Sequence, residues 1–143
     1  MKTNELRLGN LVMYNNQIVK TTGLHYDMFE CGNPDDENWM CTGRISEVQP
    51  IGLTEEVLLN IGFKKEERMS SILYYLDYEI NEDEYIRVRY VIYNSKALPL
   101  LRITSPSPII LEGNELTKRG IKYLHQLQNA YYLLTNEELE VEL

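Results

Sequence analysis

Apolar and polar side chains alternate along two stretches in the middle of the chain, residues 72–80 and 85–92. This period of two predicts β-strands, because successive side chains of a strand point to opposite faces of a sheet. The polar residues 81–83 between the stretches are typical of a hairpin loop. We therefore expect two long antiparallel strands, each with one apolar face.

The same alternation predicts the register of these strands. With residues 81–83 as the loop, Leu76 faces Val88, and Asp77 faces Arg87 on the other side of the sheet as an opposite-charge pair. A shift of one residue would set apolar against polar positions on both faces, which is unfavourable. Residues 100–104 predict a third strand and complete an antiparallel meander.

Helical signals lie on both sides of the meander. Thr54 has the side chain of an N-cap, and two glutamates follow in the first turn of a short helix that ends near Gly62. A longer helix is predicted over residues 118–134. Its apolar stripe consists of Leu124, Leu127, Tyr131 and Leu134. We expect this stripe to pack on the apolar face of the meander.

The first fifty residues predict several short strands. Asn15 and Asn16 tolerate positive φ and indicate a tight hairpin turn. Further strands are predicted at residues 25–29, 39–42 and 44–49, and this spacing favours a bent antiparallel sheet or a small barrel. The predicted fold class is α+β. A β-rich subdomain spans residues 1–50, and residues 51–143 hold the helices and the meander, both parts sharing one compact unit.

The net charge and the residue composition of the chain limit the kinds of partner that it could bind. The chain of 143 residues has a net charge of −8, which argues against a general nucleic-acid binder, since such proteins need a basic surface. Eleven tyrosines against two phenylalanines are unusual, and six of the 11 lie between Tyr74 and Tyr93. Tyrosine suits half-buried sheet faces and interfaces. Tyr75 and Tyr93 are therefore candidate contact residues for a protein partner.

No apolar run approaches the roughly 20 residues that span a bilayer, and the N-terminus lacks the apolar core of a signal peptide. We expect a cytoplasmic protein without a membrane partner.

In that compartment Cys31 and Cys41 would remain thiols. His25 with these two cysteines is a conceivable zinc set, but its spacing matches no zinc motif, so buried strand residues are the better interpretation. We predict no metal and no cofactor.

Three separated segments of the chain share a resemblance. They are residues 5–12 (ELRLGNLV), residues 50–56 (PIGLTEE) with Gly62 and Phe63, and residues 125–131 (HQLQNAY) with 134–139 (LTNEEL). Together they resemble a group of small uncharacterised proteins of Bacteroides and of its phages and prophages. The resemblance covers about a third of the chain and implies a mobile-element origin in a bacterial cytoplasm, with no known activity. Asn136 stands where this group leads us to expect glycine, and asparagine also suits a left-handed helix cap.

The polar side of the last helix is the best candidate site. At 100° per residue, Lys122, His125, Asn129 and Tyr132 share about a quarter of its circumference. His125 could serve as a general base with Asn129 orienting a substrate, or this side could bind a partner. Alternatively, it is solvated, or His125 and Asn129 cap neighbouring backbone groups.

Three functions remain open from the sequence. The first is a non-enzymatic phage or prophage protein acting by protein–protein contact, in which alanine at Tyr75 and Tyr93 would weaken binding more than folding. The second is a nucleic-acid accessory protein, which needs a positive or aromatic stripe, or an acidic mimic of nucleic acid. The third is a hydrolase or transferase centred on His125, which needs a pocket with a second titratable group. The oligomeric state is not predictable.

Overall fold

A computed structural model of the protein confirms an α+β fold with two antiparallel sheets. It describes residues 5–69, 71–80, 85–93, 100–104 and 121–141. Contacts divide the chain into two compact units. The first is Met1–Leu53 with Tyr123–Leu139, and the second is Thr54–Lys122 with Glu140–Leu143.

The first unit contains a four-stranded sheet in the order β1-β2-β3-β4. Its strands are β1 (Leu11–Tyr14), β2 (Gln17–His25), β3 (Met28–Asn33) and β4 (Asp36–Arg44). Asn15 and Asn16 form the β1–β2 turn with φ values of 50° and 61°, as predicted. Asparagine is well suited to this turn because its short polar side chain tolerates positive φ.

Two predicted strands of this region are wrong. The stretch 25–29 is broken by a turn in which Tyr26 has a φ of 44°, and β3 begins only at Met28. The stretch 44–49 contains a short 3₁₀ helix, Ile45–Glu47, in which the Glu47 carboxylate accepts from the backbone N–H of Arg44 at 3.2 Å. This local bond gives the backbone an alternative to strand pairing.

One hydrophobic core cluster packs against the first sheet. Its buried members are Leu6, Val12, Val19, Phe29, Cys31, Ile45 and Val48. The sheet is bent but not closed into a barrel. The ring of Tyr14 in β1 lies so close to Gly43 in β4 that a Cβ atom there would come within 2.6 Å of it. Glycine at this position therefore allows the outer strands to approach each other.

The second unit begins with the predicted short helix, α1 (Glu55–Asn60). The Thr54 hydroxyl accepts from the N–H of Val57 at 3.2 Å, as expected for an N-cap. Gly62 adopts a φ of 96°, the left-handed conformation that glycine takes up without strain.

A second four-stranded sheet follows in the order β5-β6-β7-β8. Its strands are β5 (Lys64–Arg68), β6 (Ser71–Glu79), β7 (Tyr85–Tyr93) and β8 (Leu100–Thr104). The predicted register is confirmed, with Leu76 opposite Val88 and Asp77 opposite Arg87. The predicted loop at 81–83 lies outside the described residues. On the apolar face, the Tyr74 hydroxyl donates to Glu55 of α1 at 2.7 Å.

The C-terminal helix is α2 (Leu124–Thr135), and its described contacts differ from the prediction. By its contacts it belongs to the first unit, while the division into residues 1–50 and 51–143 stays a prediction. The physical reason is that amide side chains of α2 bind backbone and side-chain groups of the N-terminal segment, as described below. The apolar stripe is buried as expected, with Leu124 at 0% and Tyr131 at 8% exposure.

Candidate functional site

Helix α2 begins later than predicted, so the first residue of the predicted site does not lie on the helix. Tyr123 is the N-cap residue, and its backbone N–H donates to the side chain of Gln126 at 3.3 Å. Lys122 therefore precedes the helix; it is exposed and belongs to the second unit. His125, Asn129 and Tyr132 are the three predicted site residues that α2 carries.

Asn129 is engaged by the N-terminal segment of its own unit. Its Oδ1 accepts from Asn10 Nδ2 at 2.9 Å and from Arg7 Nε at 3.3 Å, while its Nδ2 donates to the carbonyl of Glu5 at 3.1 Å. Asn10 is fully buried, and its Oδ1 accepts from the N–H of Arg7 at 2.8 Å. The prediction that this side could cap neighbouring backbone is confirmed for Asn129.

Tyr132 and Glu138 enclose the side chain of Arg7. The guanidinium carbon lies 4.0 Å from the centre of the Tyr132 ring, a cation–π geometry. The two terminal nitrogens donate to the Glu138 carboxylate at 2.6 and 2.7 Å, forming a bidentate pair. Donation from Arg7 lowers the pKa of the Glu138 carboxyl. The third predicted residue is thus also in contact with the N-terminal segment.

Gln128 completes this arrangement beside strand β1. Its Oε1 accepts from the N–H of Leu11 at 2.9 Å in a buried bond. Since β1 is an outer strand, this bond satisfies a backbone donor that no neighbouring strand pairs. We call the group of Arg7, Asn10, Gln128, Asn129 and Glu138 the terminal network.

Two of the three segments that carry the sequence resemblance lie in this unit, and the third contributes only its first four residues to it. Residues 5–12 and 125–139 contribute every member of the terminal network. The segment at 50–53 joins them, because the carbonyl of Ile51 accepts from the N–H of Leu124 at 2.9 Å and Gly52 pairs with Tyr123. Segments far apart in sequence therefore form one structural feature around α2.

His125 is buried, at 1% exposure, and its ring stacks on Tyr123 at a centroid distance of 5.8 Å. Neither ring nitrogen has a hydrogen-bond partner among the residues that the structure describes. Burial lowers the pKa of the ring, and the Glu5 carboxylate partly opposes this effect. The ring is therefore held neutral near pH 7.

This geometry does not resemble a site of acid–base catalysis. A general base must reach the proton of a substrate at hydrogen-bond distance. The His125 ring is closed to solvent, and no described carboxylate or thiol is hydrogen-bonded to it. It packs as an aromatic core residue of the first unit.

The two cysteines differ from the prediction. Cys31 and Cys41 face each other across β3 and β4 and form a disulfide, with their Cα atoms 5.0 Å apart. The expectation of free thiols is therefore wrong, because the hairpin register places them side by side. Among the described residues, no group of three His, Cys, Asp or Glu side chains is arranged to hold a metal ion.

The second unit carries a different polar group on the sheet face opposite Tyr74. Arg87 donates to both carboxylate oxygens of Asp77, at 2.5 and 2.7 Å. Its guanidinium carbon lies 4.6 Å from the ring centre of Tyr75 and 5.3 Å from that of Tyr85. We call these four residues the tyrosine–arginine cluster. Donation from Arg87 lowers the pKa of Asp77, and the same bond raises the pKa of Arg87.

The cluster remains accessible to solvent. The side chains of Arg87 and Asp77 are 28% and 26% exposed, and both tyrosines are half-buried. Tyr75 is the one predicted contact residue in it. Tyr93 lies opposite Ser71 in the register, and its side chain is outside the described residues.

Sequence reasoning missed Arg7 and Glu138, which are 131 positions apart and share no motif spacing. The register of the meander did predict the pairing of Asp77 with Arg87.

No family model, curated protein or solved structure matches the chain. No helix among the described residues combines the length and the hydropathy needed to span a membrane. The cytoplasmic location stays a prediction.

Proposed function

We propose that this chain is a non-enzymatic interaction protein that contacts a protein partner through the tyrosine–arginine cluster of its second sheet. The sequence resemblance adds the proposal that it originates from a phage or prophage of Bacteroides. The single observation that carries the contact surface is the geometry of Arg87, which is fixed by Asp77 and by two tyrosine rings while staying partly exposed.

Residue type and rigidity both support this surface. Arginine and tyrosine are enriched among the residues that contribute most of the energy of protein interfaces. A side chain already held in one geometry loses little conformational entropy on binding, so more of the contact energy appears as affinity. The bidentate Asp77 pair and the flanking rings hold Arg87 in this way.

The other predicted surface supports binding less well. Asn129 and Tyr132 already bind the N-terminal segment of their own unit, and His125 is buried. A partner would have to displace those internal contacts before it could use this side of α2. The tyrosine–arginine cluster presents two tyrosine rings and a fixed guanidinium that are partly exposed together, so a partner can contact them with their internal bonds intact.

Site-specific photo-crosslinking tests the proposal. A photo-reactive amino acid is placed at Glu79, which is exposed and shares the face of Asp77, and the full-length protein is irradiated in a lysate of the host bacterium. The control position is Glu56, exposed on α1, which packs at the opposite face of the same sheet. We expect a discrete protein adduct from position 79, removed by Arg87→Ala, and none from position 56. Identical adducts from both positions, or no adduct from position 79, would contradict the proposal.

A further inference from the structure

One row of positions crosses all four strands of the second sheet beside the tyrosine–arginine cluster. In the register, Lys64 lies opposite Tyr75, Tyr75 opposite Arg89, and Arg89 opposite Arg102. Residues directly opposite in neighbouring strands are about 5 Å apart, and like charges there are destabilising. We call these four positions the basic row. Three cationic positions in a chain of net charge −8 are an unexpected concentration of positive charge.

Arg89 is a member of the basic row that has an unpaired polar atom within the described part of the chain. Its Nε atom is buried and has no hydrogen-bond partner among the residues that the structure describes. Its charge helps to lower the pKa of Glu66 and of Asp77. Each of those carboxylates is already hydrogen-bonded to another arginine, Arg68 or Arg87. The side chain as a whole is partly exposed, and a guanidinium keeps its charge at all physiological pH values, so the exposed part of Arg89 can contact an external anion.

We propose that the basic row binds carboxylate side chains of the partner protein, with Tyr75 providing an aromatic contact between them. This inference rests on the proposed function and adds the chemistry of the partner: a segment with acidic and aromatic side chains. Charge-assisted hydrogen bonds from arginine to carboxylate are short and geometrically specific, and arginine forms them bidentately. Such a segment would add a counter-charge to the partly exposed Arg89 side chain.

A nucleic-acid strand fits this face less well than an acidic protein segment. Alternation places Glu66, Asp77 and Glu79 on the same face as the row, where they would repel a continuous chain of phosphates. Binding of single strands requires a positive groove that follows the backbone. The basic row crosses the strands once and is bordered by these carboxylates, so it offers sites for a few charges only.

The experiment titrates the full-length protein into fluorescent probes and follows their anisotropy. The acidic probe is a 12-residue peptide of alternating Glu and Tyr. Its matched control has Gln in place of every Glu, and the nucleic-acid probe is a 12-residue oligodeoxythymidylate. The protein variants are Arg89→Ala and, as a control with the same change of charge, Arg44→Ala, whose side chain is exposed on β4 of the first unit.

We expect the acidic peptide to bind and the glutamine peptide to bind at least tenfold more weakly. Arg89→Ala should weaken binding of the acidic peptide about tenfold, the loss expected for one charge-assisted hydrogen bond, while Arg44→Ala leaves it unchanged. Equal binding of both peptides, no effect of Arg89→Ala, or no peptide binding would overturn the inference. Tighter binding of the oligonucleotide than of the acidic peptide would overturn it in favour of nucleic acid.

The result of the peptide titration can be interpreted separately from the result of the photo-crosslinking that tests the proposed function. A protein adduct at position 79 together with failure of the acidic peptide would retain the interaction surface and reject the chemistry given to the partner. Absence of both the adduct and peptide binding would reject both. Far-ultraviolet circular dichroism of Arg89→Ala shows whether the variant is folded, and Arg89→Lys, which keeps the charge, should restore part of the affinity.

Discussion

The terminal network and the basic row contain similar polar side chains in opposite situations. In the network, Arg7 is saturated by Glu138, Asn129 and the Tyr132 ring, all within its own unit. In the row, Arg89 retains a buried Nε without a hydrogen bond among the described residues. The first arrangement joins distant segments of the chain, and the second contains a partly exposed cation that is in no ion pair among the described residues.

This contrast distinguishes polar groups that stabilise the fold from polar groups that are available for binding. A buried polar group that finds its partners within the fold stabilises that fold, and removal of one partner is costly because the others stay buried. A cation on a sheet face whose neighbouring carboxylates are already hydrogen-bonded to other arginines contributes little to folding and can bind an external anion. The largest loss of stability is therefore expected in the terminal network.

The largest effect is expected for Asn10→Ala. Asn10 is fully buried and makes hydrogen bonds with Arg7 and Asn129, so its loss leaves their polar groups unsatisfied. We expect a decrease of about 2–4 kcal/mol in the free energy of unfolding of the first unit. Trp39, the one tryptophan of the chain, packs against the core of that unit and reports its unfolding in urea by fluorescence.

The matched control for that change is Asn60→Ala, because Asn60 is exposed at the end of α1 in the second unit. We expect it to shift the free energy of unfolding by less than about 0.5 kcal/mol. Similar effects of the two substitutions would mean that the terminal network contributes no special stability.

Reduction of the disulfide should have the next largest effect. The bond closes a loop with a sequence separation of 10 residues, for which chain entropy gives about 2–3 kcal/mol. We expect dithiothreitol to lower the urea midpoint read by Trp39 fluorescence, and to have no effect on a Cys31→Ala/Cys41→Ala variant. An unchanged midpoint in the wild-type chain would show that the bridge does not stabilise the first unit.

A smaller effect is expected from the pH dependence at His125. Burial lowers its folded pKa below the ordinary value of 6.5, so the unfolded chain binds the proton more readily. The stability of the first unit is therefore complete above pH 6.5 and falls as the pH drops below it, by at most about 1.4 kcal/mol per pH unit.

Urea titrations between pH 5 and pH 7.5, read by Trp39 fluorescence, measure this loss. The variant His125→Leu should remove it, while His25→Leu at an exposed site should retain it. A pH dependence that survives His125→Leu would assign the loss to another group. The carboxyl of Glu138 titrates at lower pH, since Arg7 lowers its pKa, and does not interfere in this range.

The smallest effect on folding is expected for Arg89→Ala. Because Arg89 lies opposite Arg102 in the register and none of the ion pairs among the described residues includes it, its removal should change the free energy of unfolding by less than about 0.5 kcal/mol. Far-ultraviolet circular dichroism in urea, which detects both sheets, measures this change. A loss comparable to that of Asn10→Ala would show that Arg89 is structural.

Local patterns in the sequence predicted much of the fold. The alternation in β6 and β7 gave the register and the pairing of Asp77 with Arg87, and the Asn15–Asn16 turn followed from backbone preference. Strand β5 was missed because its five residues are all charged and exposed, so they show no period of two. The 3₁₀ helix at Ile45–Glu47 was missed because short apolar patterns do not distinguish it from a strand.

The packing of α2 and the terminal network were not predictable from local patterns. An apolar stripe shows that a helix packs, but not on which sheet, and two sheets were available. Hydrogen bonds of Gln128 and Asn129 hold α2 against the first sheet. Their side-chain amides bond to groups in and beside β1 that are more than 115 residues away in sequence. The polar side of α2 therefore looked like a solvated surface although it is an internal contact.

One paired measurement tests the separation of stability from binding most directly. Arg7→Ala and Arg89→Ala are compared for urea unfolding and for affinity to the peptide of alternating Glu and Tyr. We expect Arg7→Ala to lower the free energy of unfolding by about 1–2 kcal/mol and to leave peptide affinity unchanged. Arg89→Ala should weaken peptide binding about tenfold and change the free energy of unfolding by less than about 0.5 kcal/mol. Equal destabilisation by both variants, or loss of peptide binding in Arg7→Ala alone, would contradict it.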